Sequence, residues 1–217
     1  MKAYLAGSFD PIHNGHLRLA QEAMKLYGFD SVVFLTGINP AKLNQTPIKD
    51  RLEMMKLACE EIPGLEVSER LFDPREPDNE VDAEANDGAL PTRLMGSDVL
   101  LRTFSRRKDY EELLRRYNYM VRVREKDDVP KLQQLQAMEG TSIDYFFLDT
   151  PETSTDVRAL VAGDQDTSHI LPPKVREYID AHNLYRDPEN GPRLKKIKFG
   201  RAMNQPLSSG SRLDRVA

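Results

Sequence analysis

Two of the four histidines in the chain, His13 and His16, stand three residues apart in Gly7-Ser8-Phe9-Asp10-Pro11-Ile12-His13-Asn14-Gly15-His16-Leu17. At that spacing one imidazole from a loop and one from the first turn of a helix can face the same point. Gly7 lets the backbone approach a ligand, Asp10-Pro11 shapes a turn, and Gly15 leaves room above the amides of a helix start. Such a start offers N–H donors and a partial positive charge, so the chemistry expected is that of a phosphate site. His-x-x-His with Asp10 is also a zinc pattern, but no third ligand cluster accompanies it, and a glycine-flanked helix start suits an anion better than a closed ligand shell.

These residues need a scaffold that holds them at the end of a strand. Lys2 to Ala6 and Val32 to Leu35 read as buried strands, and between them Leu17, Ala20, Ala23, Met24 and Tyr27 recur at helical spacing up to Gly28. The pattern repeats with a helix from about Lys49 to Glu61, a strand near Leu65 to Ser68, and apolar runs at Tyr119 to Val123 and Ile143 to Leu148. This alternation predicts an α/β fold, a Rossmann-like, open, mostly parallel sheet with helices on both faces, whose loop after the first strand is a ligand position.

The 217 residues suit one ordinary domain. Mean hydropathy of −0.59 and the lack of a long apolar stretch argue against a membrane protein, and the single Cys59 argues for a reducing, cytoplasmic setting. The net charge of −4 conceals a division. Residues 186–217 hold eight bases against three acids, a charge of +5, which leaves −9 on residues 1–185. That basic segment reads as a solvated, flexible tail and not as a nucleic-acid site, and residues 73–90 read as an exposed acidic loop. The expected organisation is a body of residues 1–185 carrying the loop, followed by the tail.

Gly7 to Leu17 resembles the Gly-x-Phe-Asp-Pro-x-His-x-Gly-His signature of the nucleotidyltransferase superfamily. Thr153-Ser154-Thr155-Asp156-Val157-Arg158, with Leu171-Pro172-Pro173-Lys174-Val175 and His182-Asn183-Leu184-Tyr185, is similar to the C-terminal motif and helix of bacterial nicotinate mononucleotide adenylyltransferases. Physically, Ser154 and Thr155 can cap a helix and bind phosphate oxygens, and Arg158 lies one turn on. Gly96-Ser97-Asp98 resembles the family's Gly-x-Asp segment, whose Asp holds the ATP ribose, and Asn39-Pro40-Ala41-Lys42 falls at its Pro-Pro-His-Lys. Arg51 matches a family arginine, although on a helix it can simply pair with an acid, and Arg124 follows a strand in a similar basic place.

The resemblance implies in-line attack by an acceptor phosphate on the α-phosphorus of ATP. Catalysis is then mainly positioning and charge stabilisation, because the nucleophile is already anionic. His13, His16, Lys42 and Arg158 are the implied catalytic residues, with Gly7, Ser8, Phe9, Gly15, Gly96, Asp98, Ser154 and Thr155 around ATP and Mg2+ bound with it. The implied partners are ATP and a small phosphorylated acceptor, a pyridine mononucleotide, and a homo-oligomer is compatible with the sequence. For the acceptor the implied residues are Asp10, Arg107 and Tyr110. The chain has no Trp, and Arg107 stands where the family places the Trp that stacks on the pyridine. The family's Ser-Tyr-Thr segment is also missing, the acidic loop and Leu90-Pro91-Thr92-Arg93 standing there instead. Three readings stay open: nicotinate or nicotinamide mononucleotide adenylyltransferase, an adenylyl- or cytidylyltransferase with another acceptor such as phosphopantetheine, and a non-catalytic nucleotide-binding protein.

Overall fold

The computed structural model describes residues 1–37, 45–71, 90–105 and 108–186. Lys42, Arg107, most of the acidic loop and all but the first residue of the basic tail lie outside these residues.

Six strands, β1 (Lys2–Gly7), β2 (Ser31–Thr36), β3 (Leu65–Val67), β4 (Thr92–Gly96), β5 (Asn118–Val123) and β6 (Ser142–Phe147), form one sheet in the order β3-β2-β1-β4-β5-β6. Every neighbouring pair is parallel. The strand order reverses between β1 and β4, which opens a crevice at the carboxyl ends of those two strands. The α/β, Rossmann-like architecture expected from the alternation is the one observed. β4 is invisible to periodicity, because Thr-Arg-Leu-Met-Gly carries only two apolar residues, next to each other, and a charge at its second position.

Helices cover both faces. Helices α1 (Asn14–Tyr27), α2 (Ile48–Cys59), α6 (Ser154–Ala162) and α7 (Pro173–Ala181) pack on one side, where Leu17, Ala20, Met54, Val157 and Ile179 meet Ala3, Leu5, Val32 and Phe34. On the other side α3 (Ser97–Phe104), α4 (Tyr110–Arg115) and α5 (Val129–Gln136) cover β5 and β6 through Leu100, Leu114 and Leu132. Alternation along each strand sends successive side chains to opposite cores, so the sheet is apolar on both faces.

One buried arginine fixes the crevice wall. Arg51, 1% exposed, donates to the carbonyls of Thr46 (2.9 Å), Ser8 (2.7 Å) and Gly37 (3.0 Å) and to Thr36 Oγ1 (2.9 Å). It thereby ties the loop after β1, the end of β2 and the approach to α2. It makes no hydrogen bond to an acid among the described residues, so the simple ion pair that a helical arginine suggests is not its role.

Candidate active site

The first loop is held from several sides. Phe9 adopts a φ of 44°, a left-handed value uncommon for a residue with a side chain, and its ring packs edge-on against Phe34 at 5.4 Å and His16 at 5.0 Å. A Cβ at Gly7 would fall 2.9 Å from that ring, so Gly7 is small in order to admit Phe9. Asp10, expected at the acceptor, is only 6% exposed and accepts from the Tyr185 hydroxyl (2.8 Å) and the Thr46 amide (3.4 Å). Its carboxylate is a latch that holds the C-terminal segment on the loop. Burial and the neighbouring Asp10 charge push the Tyr185 hydroxyl well above its usual range, which keeps it a donor.

His13 is the N-cap of α1. Its Nδ1 accepts from the Gly15 amide (3.2 Å), and the His13 amide donates in return to His16 Nδ1 (3.3 Å). This reciprocal pair has the logic of a capping box, with two imidazoles in place of hydroxyl and carboxylate. The rings lie 3.8 Å apart, and each has its Nδ1 lone pair engaged, so in the neutral form each carries its proton on Nε2. Burial, reinforced by Arg124, Arg18 and Arg122, lowers the pKa of His13 to about 3. His13 is therefore a neutral N–H donor at physiological pH and not a proton source.

The start of α1 differs from the phosphate-binding helix start expected from sequence. The amides of Asn14, Gly15, His16 and Leu17 donate respectively to the Ile170 carbonyl, His13 Nδ1, the His13 carbonyl and the His13 carbonyl. The start of α1 thus has no amide to give a phosphate, because histidine capping and the Ile170 carbonyl take all four. Gly15 serves this cap, since a Cβ there would fall 3.0 Å from His13 Nδ1 and 3.1 Å from Glu152 Oε2.

The second motif faces the first. Thr153, and not Ser154 or Thr155, is the N-cap of α6: its Oγ1 accepts from the Asp156 amide at 3.1 Å. The amides of Ser154 and Thr155, in the first turn, have no protein partner among the described residues. Ser154 Oγ donates to the Pro11 carbonyl (3.0 Å), and Arg158 donates to the Asp10 carbonyl and to Thr155 Oγ1 (3.3 Å). A cleft of about 300 Å³ brings His13, His16, Ser154, Thr155, Arg158 and Asp98 together with Arg122 and Arg124.

Arg122 and Glu152 were not expected from sequence. Arg122, 7% exposed, donates to Thr150 Oγ1 at 2.7 Å, and Arg124 reaches the same hydroxyl at 3.4 Å. Burial and then Arg124 bring the pKa of Arg122 down to about 10, which leaves it charged at neutral pH. Its Nε is buried without a partner. Glu152 pairs with Arg18 through Oε1, while Oε2 is buried and unpartnered in the cleft wall. A Cβ at Gly96 would fall 2.6 Å from Asp98 Oδ1 and 3.4 Å from Arg122 Nη2, so this glycine admits both side chains over the end of β4.

A second cavity of about 330 Å³ adjoins the cleft and shares His16, Asp98, Arg122 and Arg124 with it. Its walls are largely apolar, with Leu35, Met95, Val99 and Leu113 among them, and it runs between β1 and β4 on the side of α3 and α4. Gly7 and Phe9 line it as well. Tyr110, expected at the acceptor, does not line it; its ring packs against Phe104 at 6.3 Å in the second core. The cause is helical phase: on α4 Leu113 is the residue that reaches the cavity.

A parallel sheet with a switch point, and paired histidines opposite a Ser-Thr-x-x-Arg helix start, define a nucleotidyltransferase of the His-x-Gly-His type. The model of the Cytidylyltransferase-like family matches residues 4–177, and the chain belongs to that family. It is 31% identical over 195 residues to the probable nicotinate-nucleotide adenylyltransferase of Caldicellulosiruptor bescii, an alignment that covers 85% of this chain and 98% of that one. With the protein of the same description from Dehalococcoides mccartyi strain CBDB1 the identity is 33%, covering 83% and 95%. The solved Plasmodium falciparum nicotinic acid mononucleotide adenylyltransferase complexed with NaAD shares the fold, with a TM-score of 0.63 at 17% identity over 85% of this chain and 96% of that chain. Among the described residues no helix is long and apolar enough to cross a membrane.

Proposed function

We propose that this protein transfers the adenylyl group of ATP to the phosphate of nicotinate mononucleotide, releasing pyrophosphate, as a step of NAD biosynthesis. The observation that carries the reading is the junction of two compartments: a cationic cleft between α1 and α6, and an apolar-walled cavity at the switch point that shares His16, Arg122 and Arg124 with it. The first suits a triphosphate and the second a mononucleotide. The acceptor phosphate, placed where the compartments meet, attacks the α-phosphorus in line. The Nε2–H groups of His13 and His16 donate to the α-phosphoryl oxygens as charge moves onto them. The Ser154 and Thr155 amides and the Arg158 guanidinium hold the departing pyrophosphate, and Asp98 accepts from the ATP ribose. Lys42 belongs with the pyrophosphate group in this reading.

Mg2+ fits the cleft as a companion of ATP. No group of three or more His, Cys, Asp or Glu that could hold a metal exists among the described residues, so phosphate oxygens and water would be its main ligands. Glu152, with its unpartnered Oε2, is the side chain suited to hold that hydrated ion. When bound, the ion neutralises charge on the leaving pyrophosphate.

The test is pyrophosphate release from ATP and from CTP over a panel of acceptors that includes nicotinate mononucleotide, nicotinamide mononucleotide and phosphopantetheine, with the dinucleotide product identified. Nicotinate adenine dinucleotide from ATP is expected. Turnover only with phosphopantetheine or only with CTP would replace this reading, and ATP binding without turnover on any acceptor would make the protein a nucleotide binder.

A further inference from the structure

Arg122 is the second-last residue of β5, which is paired on both sides, and its register partners are Gly96 on β4 and Phe146 on β6. A charge set into a doubly covered parallel sheet breaks its apolar pattern, and departures of this kind mark functional positions. Tyr119, Val121 and Val123 belong to the core beneath α3, α4 and α5, whereas Met120 packs into the opposite one. By alternation Arg122 stands on the Met120 face, the side of α1 and α6.

One edge of this guanidinium is committed and the other is not. Nη1 donates to Thr150 Oγ1 at 2.7 Å, whereas Nε, on the edge it shares with Nη2, is buried without a partner in a side chain that is 7% exposed. Thr150 is buried as well, and its hydroxyl also accepts from Arg124 at 3.4 Å. With N–H donors on its oxygen from two sides, that hydroxyl keeps its own proton to give. Thr150, Arg122 and Arg124 line one cleft and turn only donors toward it. Asp98 and Asp149 offset the charge of Arg122 through space, but neither forms an ion pair with it among the described residues. Two cations drawn to one hydroxyl, with a buried N–H to satisfy, suit an anion that has several oxygens.

The position of this cluster separates the two substrates. Ser154, Thr155 and Arg158, which hold the departing pyrophosphate in the proposed reaction, line the cleft but not the apolar-walled cavity, whereas Arg122 and Arg124 line both. In an in-line displacement the nucleophile and the leaving group lie on opposite sides of the phosphorus. A cation that borders the acceptor's cavity is therefore placed for the nucleophile.

We infer that Arg122, oriented by Thr150, seats the phosphate of the acceptor on its Nε–Nη2 edge and so positions the attacking oxygen, with the Thr150 hydroxyl as a second donor. This inference rests on the proposed adenylyl transfer to a phosphorylated acceptor. A planar guanidinium fork matches two phosphate oxygens at once, and a site with such a donor rejects the analogue that lacks the phosphate.

The test compares Kd by calorimetry for nicotinate mononucleotide and for nicotinate riboside, which differ only in the phosphate, in wild type, Arg122→Met and Thr150→Val. Both ligands are titrated into the same preparation, so any loss of folded protein cancels in the ratio. The expected wild-type preference for the mononucleotide drops roughly 10- to 100-fold in Arg122→Met and about three- to tenfold in Thr150→Val, while KM for ATP changes by less than about threefold. Thr150→Val keeps the shape and both charges, so it carries the test if Arg122→Met does not fold. No preference in wild type, a preference that survives intact in every folded variant, or a loss of ATP affinity in its place overturns the assignment and leaves the proposed function to the acceptor panel. Wild-type protein that binds neither ligand and turns over no acceptor overturns the function and this assignment with it.

Discussion

Helices α1 and α6 present their amino ends to the same cleft, but the two ends are finished differently. At α1, His13 and His16 cap one another's backbone and, with the Ile170 carbonyl, consume every amide of the first turn. At α6, Thr153 takes only the Asp156 amide, and those of Ser154 and Thr155 remain without a protein partner among the described residues. A helix start can use its N–H groups as ligands or use them to fix side chains, and the two ends divide these tasks. α1 spends its donors on orienting two imidazoles, whereas α6 keeps donors for an anion, with Arg158 one turn further on. In the proposed adenylyl transfer, that division would give α-phosphoryl stabilisation to α1 and pyrophosphate retention to α6.

The largest expected effect falls on α1. His16→Ala removes one donor to the developing charge and should lower kcat for pyrophosphate release by about 100- to 1000-fold. It also removes half of the cap, which costs about 1 kcal/mol and shifts Tm by only about 2–4 °C. Turnover near wild type in a folded His16→Ala protein would erase the distinction between the two helices.

A smaller effect concerns pH. His13 stays neutral in the fold down to about 3, whereas the unfolded chain takes up that proton below about 6.5. The unfolded state then binds more protons, so stability falls as pH drops through the window from 6.5 toward 3, with a slope approaching about 1.4 kcal/mol per pH unit from this group. His13→Asn keeps a good N-cap and should flatten the slope between pH 6.5 and 5 in denaturant titrations while still losing turnover. An unchanged slope would mean that His13 is not held neutral by its surroundings.

The smallest effect is at the α6 cap. Thr153→Ala should cost about 1 kcal/mol in denaturant unfolding. Because the Ser154 and Thr155 amides depend on that turn for their direction, KM for ATP should rise while kcat changes little. A rise confined to KM for the acceptor would place α6 on the wrong substrate.

Much of this arrangement is legible in the amino-acid sequence. The segment from β1 to α1 announces itself through an apolar run, glycines and helical periodicity, and the Ser-Thr-x-x-Arg motif is equally local. What sequence misread or missed depends on the third dimension. That α1 has no amide to offer follows from a ring–backbone exchange and from the distant Ile170 carbonyl. Tyr110 lies one helical phase away from the cavity that Leu113 reaches. Arg122 lies on a strand whose pattern gives no hint that its partner is Thr150, 28 residues on, or that it converges with Asp98 over Gly96. A usable signal did exist for Arg122, since it puts a charge into a strand that is otherwise built to be covered on both faces.

The division between the two helices is tested most directly by inhibition with pyrophosphate, which occupies the leaving-group position without involving the α-phosphorus. Its inhibition constant against ATP is to be measured in wild type, Arg158→Met and His16→Ala, the last by calorimetric binding where turnover is too slow. A weakening of about tenfold or more in Arg158→Met, with less than threefold change in His16→Ala, is the predicted result. Pyrophosphate affinity that drops with His16→Ala and survives Arg158→Met would contradict it, and would return the anion site to the start of α1.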